Sequence, residues 1–180
     1  MERLDQSVAD AIRIFAQSVQ DISLRSSIEQ ACPTRLTRNQ FLILNLLNAN
    51  GAFPIGEIAT ILDISSPAAS KNVDRLEELG LVRRRRRAAD RRVHDVELLP
   101  QGAAIVERFV SIAAQKQAAL LASFSDEEKT VLLDLLRRIV LLTLAGEERT
   151  DAICLQCWNR RGEDCILRDL PGGCLHNREH

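Results

Sequence analysis

Four cysteines gathered near one end and seven arginines gathered mid-chain are the residues whose types and spacing can do chemistry. Cys154 and Cys157 are separated by two residues, Cys165 follows after seven more and Cys174 after a further eight. A two-residue gap lets neighbouring thiolates face one ion from a tight knuckle, and four sulfurs complete a tetrahedron. Gly162, Pro171, Gly172 and Gly173 supply turns that bring the later cysteines back, while Arg160, Arg161 and Arg168 favour the thiolate form. Cys154, Cys157, Cys165 and Cys174 are therefore expected to hold a metal: zinc first, an iron–sulfur cluster as the alternative. His176 is a substitute for Cys174. The second pair lacks the CxxC form of a zinc ribbon, so a metal-free thiol–disulfide switch and a tail without a ligand stay open.

The second cluster is electrostatic. Residues 81–94 contain Arg83, Arg84, Arg85, Arg86, Arg87, Arg91 and Arg92 against the single acid Asp90, a local charge of +6 in a chain of formal net charge −1. The remainder must then carry −7. Positive charge concentrated on one segment of an otherwise acidic protein is the footprint of a polyanion partner; the bland alternative is a solvated charge run.

The elements that must position these clusters are helical. Of the 180 residues 46% are hydrophobic and only 3% aromatic, with no tyrosine, which favours packed helices over an aromatic-rich sandwich. No apolar run reaches the ~18 residues of a membrane span. The charged start Met1-Glu2-Arg3-Leu4-Asp5 lacks the core of a secretory signal, so a cytoplasmic location is expected. In that reducing setting five cysteines are thiols, ligands or redox centres, not structural disulfides. With no phosphate-cradling glycine loop, no Ser/His/Asp set arguable from spacing and only three histidines, enzymatic activity is not expected.

Leu4, Val8, Ile12, Phe15, Val19 and Ile22 form the stripe of one long amphipathic helix that closes at Cys32-Pro33. A helix capped by Thr37 runs to Asn50-Gly51, and a short one covers about Ile55 to Leu62. The next has Ser66 as its expected N-cap, Pro67 at the first position and Gly80 as terminator, burying Ala69, Val73, Leu76 and Leu79. Leu81-Val82 and Val93–Leu98 then read as a two-stranded hairpin with the arginines at its tip. Helices resume from Pro100 to Phe124 and, behind the cap Ser125-Asp126-Glu127-Glu128, from Glu127 to Ala145. That last helix is apolar on most of its circumference, so a second subunit is its expected cover, with burial inside the protomer as the alternative.

The two short helices joined by Asp63-Ile64-Ser65 form a helix-turn-helix, in which the second helix enters the major groove. Ser66, Ser70 and Lys71 are placed to hydrogen-bond bases or phosphates, Ala68 and Pro67 to touch a thymine methyl, and Arg75 to meet a phosphate. The hairpin becomes a wing whose Arg86, Arg87, Arg91 and Arg92 reach phosphates or a narrow minor groove.

Here the sequence resembles the MarR family of winged helix-turn-helix regulators. The resemblance is carried by Ser65-Ser66-Pro67-Ala68-Ala69-Ser70-Lys71-Asn72-Val73-Asp74-Arg75-Leu76-Glu77-Glu78-Leu79-Gly80-Leu81-Val82-Arg83, by Asp90-Arg91-Arg92 and by the Leu98–Gly102 segment. Leu99-Pro100 replaces the usual threonine cap. The resemblance implies a homodimer held by N- and C-terminal helices on a pseudo-palindromic operator, with Asp90 orienting Arg92. It also implies a small aromatic or phenolic effector in a cleft between the dimer and DNA-binding parts. The peroxide-sensing branch pairs its reactive cysteine with tyrosines; with none in this chain, Cys32 is not assigned that role and is expected to be a half-buried small hydrophobe. His94 is expected to be structural.

The fold expected is mainly α: a winged helix-turn-helix with a two-stranded wing and long terminal dimerisation helices. Residues 1–34 and 101–150 supply dimerisation helices, 35–100 the DNA-binding domain and 151–180 a cysteine-rich extension. The function expected is a dimeric transcriptional regulator, a repressor in the first instance, bound to double-stranded operator DNA and sensing metal or redox state through the tail. The rival is a redox or metal-carrier protein that uses the helix-turn-helix as an interaction module.

Overall fold

The computed structural model describes residues 2–86, 94–147, 151–155 and 165–167. The chain starts with α1 (Glu2–Ser18), a π-helical turn (Val19–Leu24) and α2 (Arg25–Ala31). Backbone angles at Ser18, Leu24 and Arg25 all stay in the right-handed helical region, so the rod is continuous, as the apolar stripe predicts. The π turn was not legible in the spacing, and it matters. By widening one turn it re-phases the helix: Leu4, Val8, Ile12 and Phe15 ahead of it are exposed, whereas Leu24, Ile28 and Ala31 behind it are buried. One rod thus presents one apolar face away from the protomer and another into it.

The core is built around α3 (Arg38–Asn50), where Phe41, Leu42, Ile43, Leu44, Leu46 and Leu47 are all buried. Thr37 starts it through a full capping box: its hydroxyl accepts from the Gln40 N–H, and the Gln40 side chain accepts from the Thr37 N–H at 2.9 Å. Phe41 stacks on Phe109 of α6 (Pro100–Leu121) with ring centroids 4.2 Å apart.

The helix-turn-helix is α4 (Ile55–Leu62) and α5 (Ser66–Glu78). Asp63 ends α4 in the left-handed region at φ 54°. The Ile64 N–H then reaches back to the Ala59 carbonyl at 3.0 Å, which turns the chain in three residues. The N-cap of α5 is Ser65, not Ser66: the Ser65 hydroxyl accepts from the Ala68 N–H at 3.3 Å, which puts Ser66 inside the first turn. Proline lacks an N–H and is tolerated at either of the first two helical positions, so its presence did not discriminate between the serines. Gly80 at φ +67° closes α5 as expected, with the Leu81 N–H on the Leu76 carbonyl at 3.0 Å.

The wing is β2 (Val82–Arg86) and β3 (His94–Leu98), antiparallel, with Arg83 opposite Glu97 and Arg84 opposite Val96. Two features depart from the sequence reading. Arg83–Arg86 form a strand and are not the tip, because a strand edge accommodates arginines that find cross-strand acids. A two-residue strand, β1 (Phe53–Pro54), also pairs with β3 and makes a three-stranded sheet of order β1-β3-β2; it is too short to show any period.

α7 (Asp126–Thr143) carries the expected capping box between Ser125 and Glu128, and none of its residues is buried. Leu142 is 77% exposed and Val131 59%. The protomer therefore leaves much of the apolar surface of this helix exposed. After it, α8 (Asp151–Cys154) turns back toward the helix-turn-helix and packs on α4. Among the described residues no helix is long and apolar enough to cross a membrane.

Candidate nucleic-acid interface

Burial of Ala69, Val73 and Leu76 against the core turns the opposite face of α5 outward. Ser66, Pro67, Lys71 and Arg75 are exposed there, and Ala68 and Ser70 are half-buried. A short polar and small-residue N-terminal half followed by a cation is the composition of a groove-reading face. Arg75 is joined to Glu78 at 2.9 Å, an exposed pair that a phosphate can displace.

The wing arginines divide by strand alternation. Arg84 points to α5, where its guanidinium meets Asp74 at 2.6 Å and Glu77 at 2.8 Å. It also donates to the Ser70 hydroxyl at 3.4 Å. Arg83 and Arg85 point the other way and share one carboxylate: Arg83 reaches Glu97 Oε2 at 2.7 Å and Arg85 reaches Oε1 at 3.2 Å. These donors, Arg83 first, hold the Glu97 carboxyl below the usual carboxylate range against the opposing effect of its partial burial. Arg86 is exposed at the end of β2, opposite His94. Arg87, Asp90, Arg91 and Arg92 lie outside the described residues.

The local charge of +6 is thus not all available to a partner. Sequence reasoning missed Glu97, Glu77 and Asp74 as the acids that engage three of the arginines. The only signal was their position: Glu97 next to last in the second strand of the wing, Asp74 and Glu77 one turn apart on the helix before the wing.

Of the cysteine set, Cys154 is buried within the apolar core cluster and Cys165 is half-buried against it. Cys157 and Cys174 lie outside the described residues. Among the described residues no three His, Cys, Asp or Glu side chains gather as a metal site. The seat of the tail is specific: Asn45, buried in α3, donates from Nδ2 to the Leu155 carbonyl at 2.9 Å. Leu155 and Leu167 are buried with it. Cys32 is buried in the core and borders a cleft of about 320 Å³ between the end of α5, the start of α6 and the α2–α3 connection, with Arg108 on its wall.

Comparison with known proteins agrees with this architecture. A family model described as MarR family matches residues 36–93. The HTH-type transcriptional regulator PecS of Dickeya dadantii is 33% identical over 108 residues, 58% of this chain; the chain spans 65% of PecS, just under two thirds. The HTH-type transcriptional repressor NicR of Pseudomonas putida is 30% identical over 112 residues, covering 62% of this chain and 71% of NicR. A MarR family protein from Bacillus stearothermophilus superposes with a TM-score of 0.67 at 27% identity, covering 79% of this chain and 97% of that one. The exposed polar face of α5, the arginine-bearing wing and these similarities lead to one conclusion: this chain belongs to the MarR family of winged helix-turn-helix proteins.

Proposed function

We propose that the protein is a homodimeric transcriptional regulator that binds double-stranded operator DNA through α5 and the wing. The observation that carries this reading is the outward face Ser66, Pro67, Ala68, Ser70, Lys71 and Arg75, presented by a buried Ala69-Val73-Leu76 stripe beside a wing whose Arg86 is exposed. α5 enters the major groove, and Arg86, Arg87, Arg91 and Arg92 of the wing take phosphates or the adjacent minor groove, with Asp90 orienting Arg92. The uncovered apolar faces of α1 and α7 support a two-fold dimer that sets the spacing of two half-sites. Repression is the favoured direction, as the name of NicR states for that relative. The cleft beside Arg108 suits a small anionic or phenolic effector.

The tail extends the proposal. Cys154, Cys157, Cys165 and Cys174 bind zinc, with an iron–sulfur cluster as the alternative, and report metal or redox state to the regulator. Support comes from the four-cysteine spacing and from the packing of Cys154 and Cys165 against one core cluster. A redox or metal-carrier role with the helix-turn-helix as an interaction module is the rival.

Titration of labelled DNA from the protein's own upstream region across a salt series tests the first part. Binding that weakens steeply with salt, and an Arg92→Ala variant weakened at least about tenfold with a flatter salt slope, are expected. No binding at low salt gives the rival the field. Elemental analysis and an absorption spectrum of protein prepared without oxygen test the second part; a colourless, metal-free, folded protein removes it.

A further inference from the structure

The wing holds two kinds of arginine. Arg84 is locked: its side chain is 24% exposed and its guanidinium faces Asp74, Glu77 and Ser70 on α5. Arg83 and Arg85 are different. Their side chains are 61% and 72% exposed, and both converge on Glu97, itself 20% exposed, one on each carboxylate oxygen. Arg83 sets both Nε and Nη2 on Oε2 at 2.7 Å. The register explains the convergence. Arg83 lies directly opposite Glu97, and Arg85 is its diagonal neighbour on the same face of the sheet.

Two guanidiniums gathered round one carboxylate are two guanidiniums gathered round an anion. A phosphate offers the same donors a comparable pair of oxygens. Exposed ion pairs are weak, so the arginines can exchange one acceptor for the other. We propose that Glu97 is a specificity-determining residue: an internal competitor that occupies Arg83 and Arg85 and yields them to phosphate only where α5 is well seated. This rests on the DNA-binding reading above. Non-specific DNA binding comes almost wholly from cation–phosphate contacts. An internal acid on the outer strand face therefore lowers non-specific binding more than operator binding, where base contacts add their share.

The test uses the full chain and two duplexes of equal length, one from its own upstream region and one scrambled. Glu97→Gln keeps the shape and removes the charge. Affinity for the scrambled duplex is expected to rise about tenfold and its salt slope to steepen by about one. The upstream duplex is expected to gain about threefold or less, so that the ratio between them falls. Adding Arg83→Gln and Arg85→Gln is expected to abolish the gain. Unchanged or weaker scrambled-DNA binding by folded Glu97→Gln protein overturns the proposal, because Glu97 then orients the arginines or is idle. Should Glu97→Gln fail to fold, Glu97→Asp, whose shorter reach cannot serve both arginines, is expected to show a smaller gain of the same sign, and no gain overturns the proposal. Wild-type protein that binds neither duplex at low salt removes the DNA-binding reading itself, and this inference with it.

Discussion

Glu77 accepts twice from Arg84: the Arg84 backbone N–H reaches Oε1 at 2.9 Å and its Nη1 reaches Oε2 at 2.8 Å. One carboxylate on α5 thereby fixes both the main chain and the side chain of the first wing strand. The angle between recognition helix and wing is set by this clamp, together with the Gly80 turn that leads into the strand.

Arg84→Ala is accordingly expected to act as a geometric lesion. Stability should fall by about 1–2 kcal/mol, since the pair is partly buried and charge-assisted. Operator affinity should fall about tenfold with little change in salt slope, because the lost charge met acids of the protein and not phosphate. Anisotropy titrations at several salt concentrations separate the two effects.

Gly102→Ala probes the junction of wing and α6. A Cβ there would lie 2.5 Å from the Leu81 carbonyl oxygen and 2.7 Å from Leu98 Cδ1, so backbone must move. A loss of about 1–3 kcal/mol is expected in urea unfolding.

Asn45→Ala should loosen the tail. It strands the buried Leu155 carbonyl at a cost of about 1–3 kcal/mol. Faster alkylation of Cys154, now buried, is the specific readout; an unchanged rate would mean that apolar packing alone seats the tail.

Acid titration has a defined sign. Glu97 has a depressed pKa in the folded chain, with Arg83 and then Arg85 as the cause. Its contribution to stability is complete above the ordinary glutamate range and is lost as pH falls through its lower folded value. Wild type is thus expected to lose its advantage over Glu97→Gln on acidification, the two stability curves converging only once pH has fallen below the ordinary glutamate range.

Leu142→Glu tests the dimer. The side chain is 77% exposed, so the protomer should keep its fold. A charge in an apolar subunit interface should split the dimer. Sedimentation as a monomer and a loss of operator affinity of at least about tenfold are expected, since two half-sites are no longer read together.

Local chemistry was legible in the sequence. Thr37 and Ser125 as caps, Gly80 as terminator, and the Ala69-Val73-Leu76 burial stripe follow from single-residue preferences and the helical period, which neighbours in sequence suffice to express. Which face of α5 is turned outward follows from the same stripe.

Tertiary structure decided what depends on distant pairing. β1 exists only because β3 lies beside it, and the π turn in the first rod shows only as the switch of buried face between Phe15 and Leu24. Which arginines are engaged depended on acids brought in by strand register and helix packing, so a count of charge along the chain overstated the charge on offer. Asn45, a lone polar residue in an apolar helix, gained its meaning from a carbonyl 110 residues away. Periodicity encodes which face an element buries; it carries no record of what arrives on that face from elsewhere in the chain.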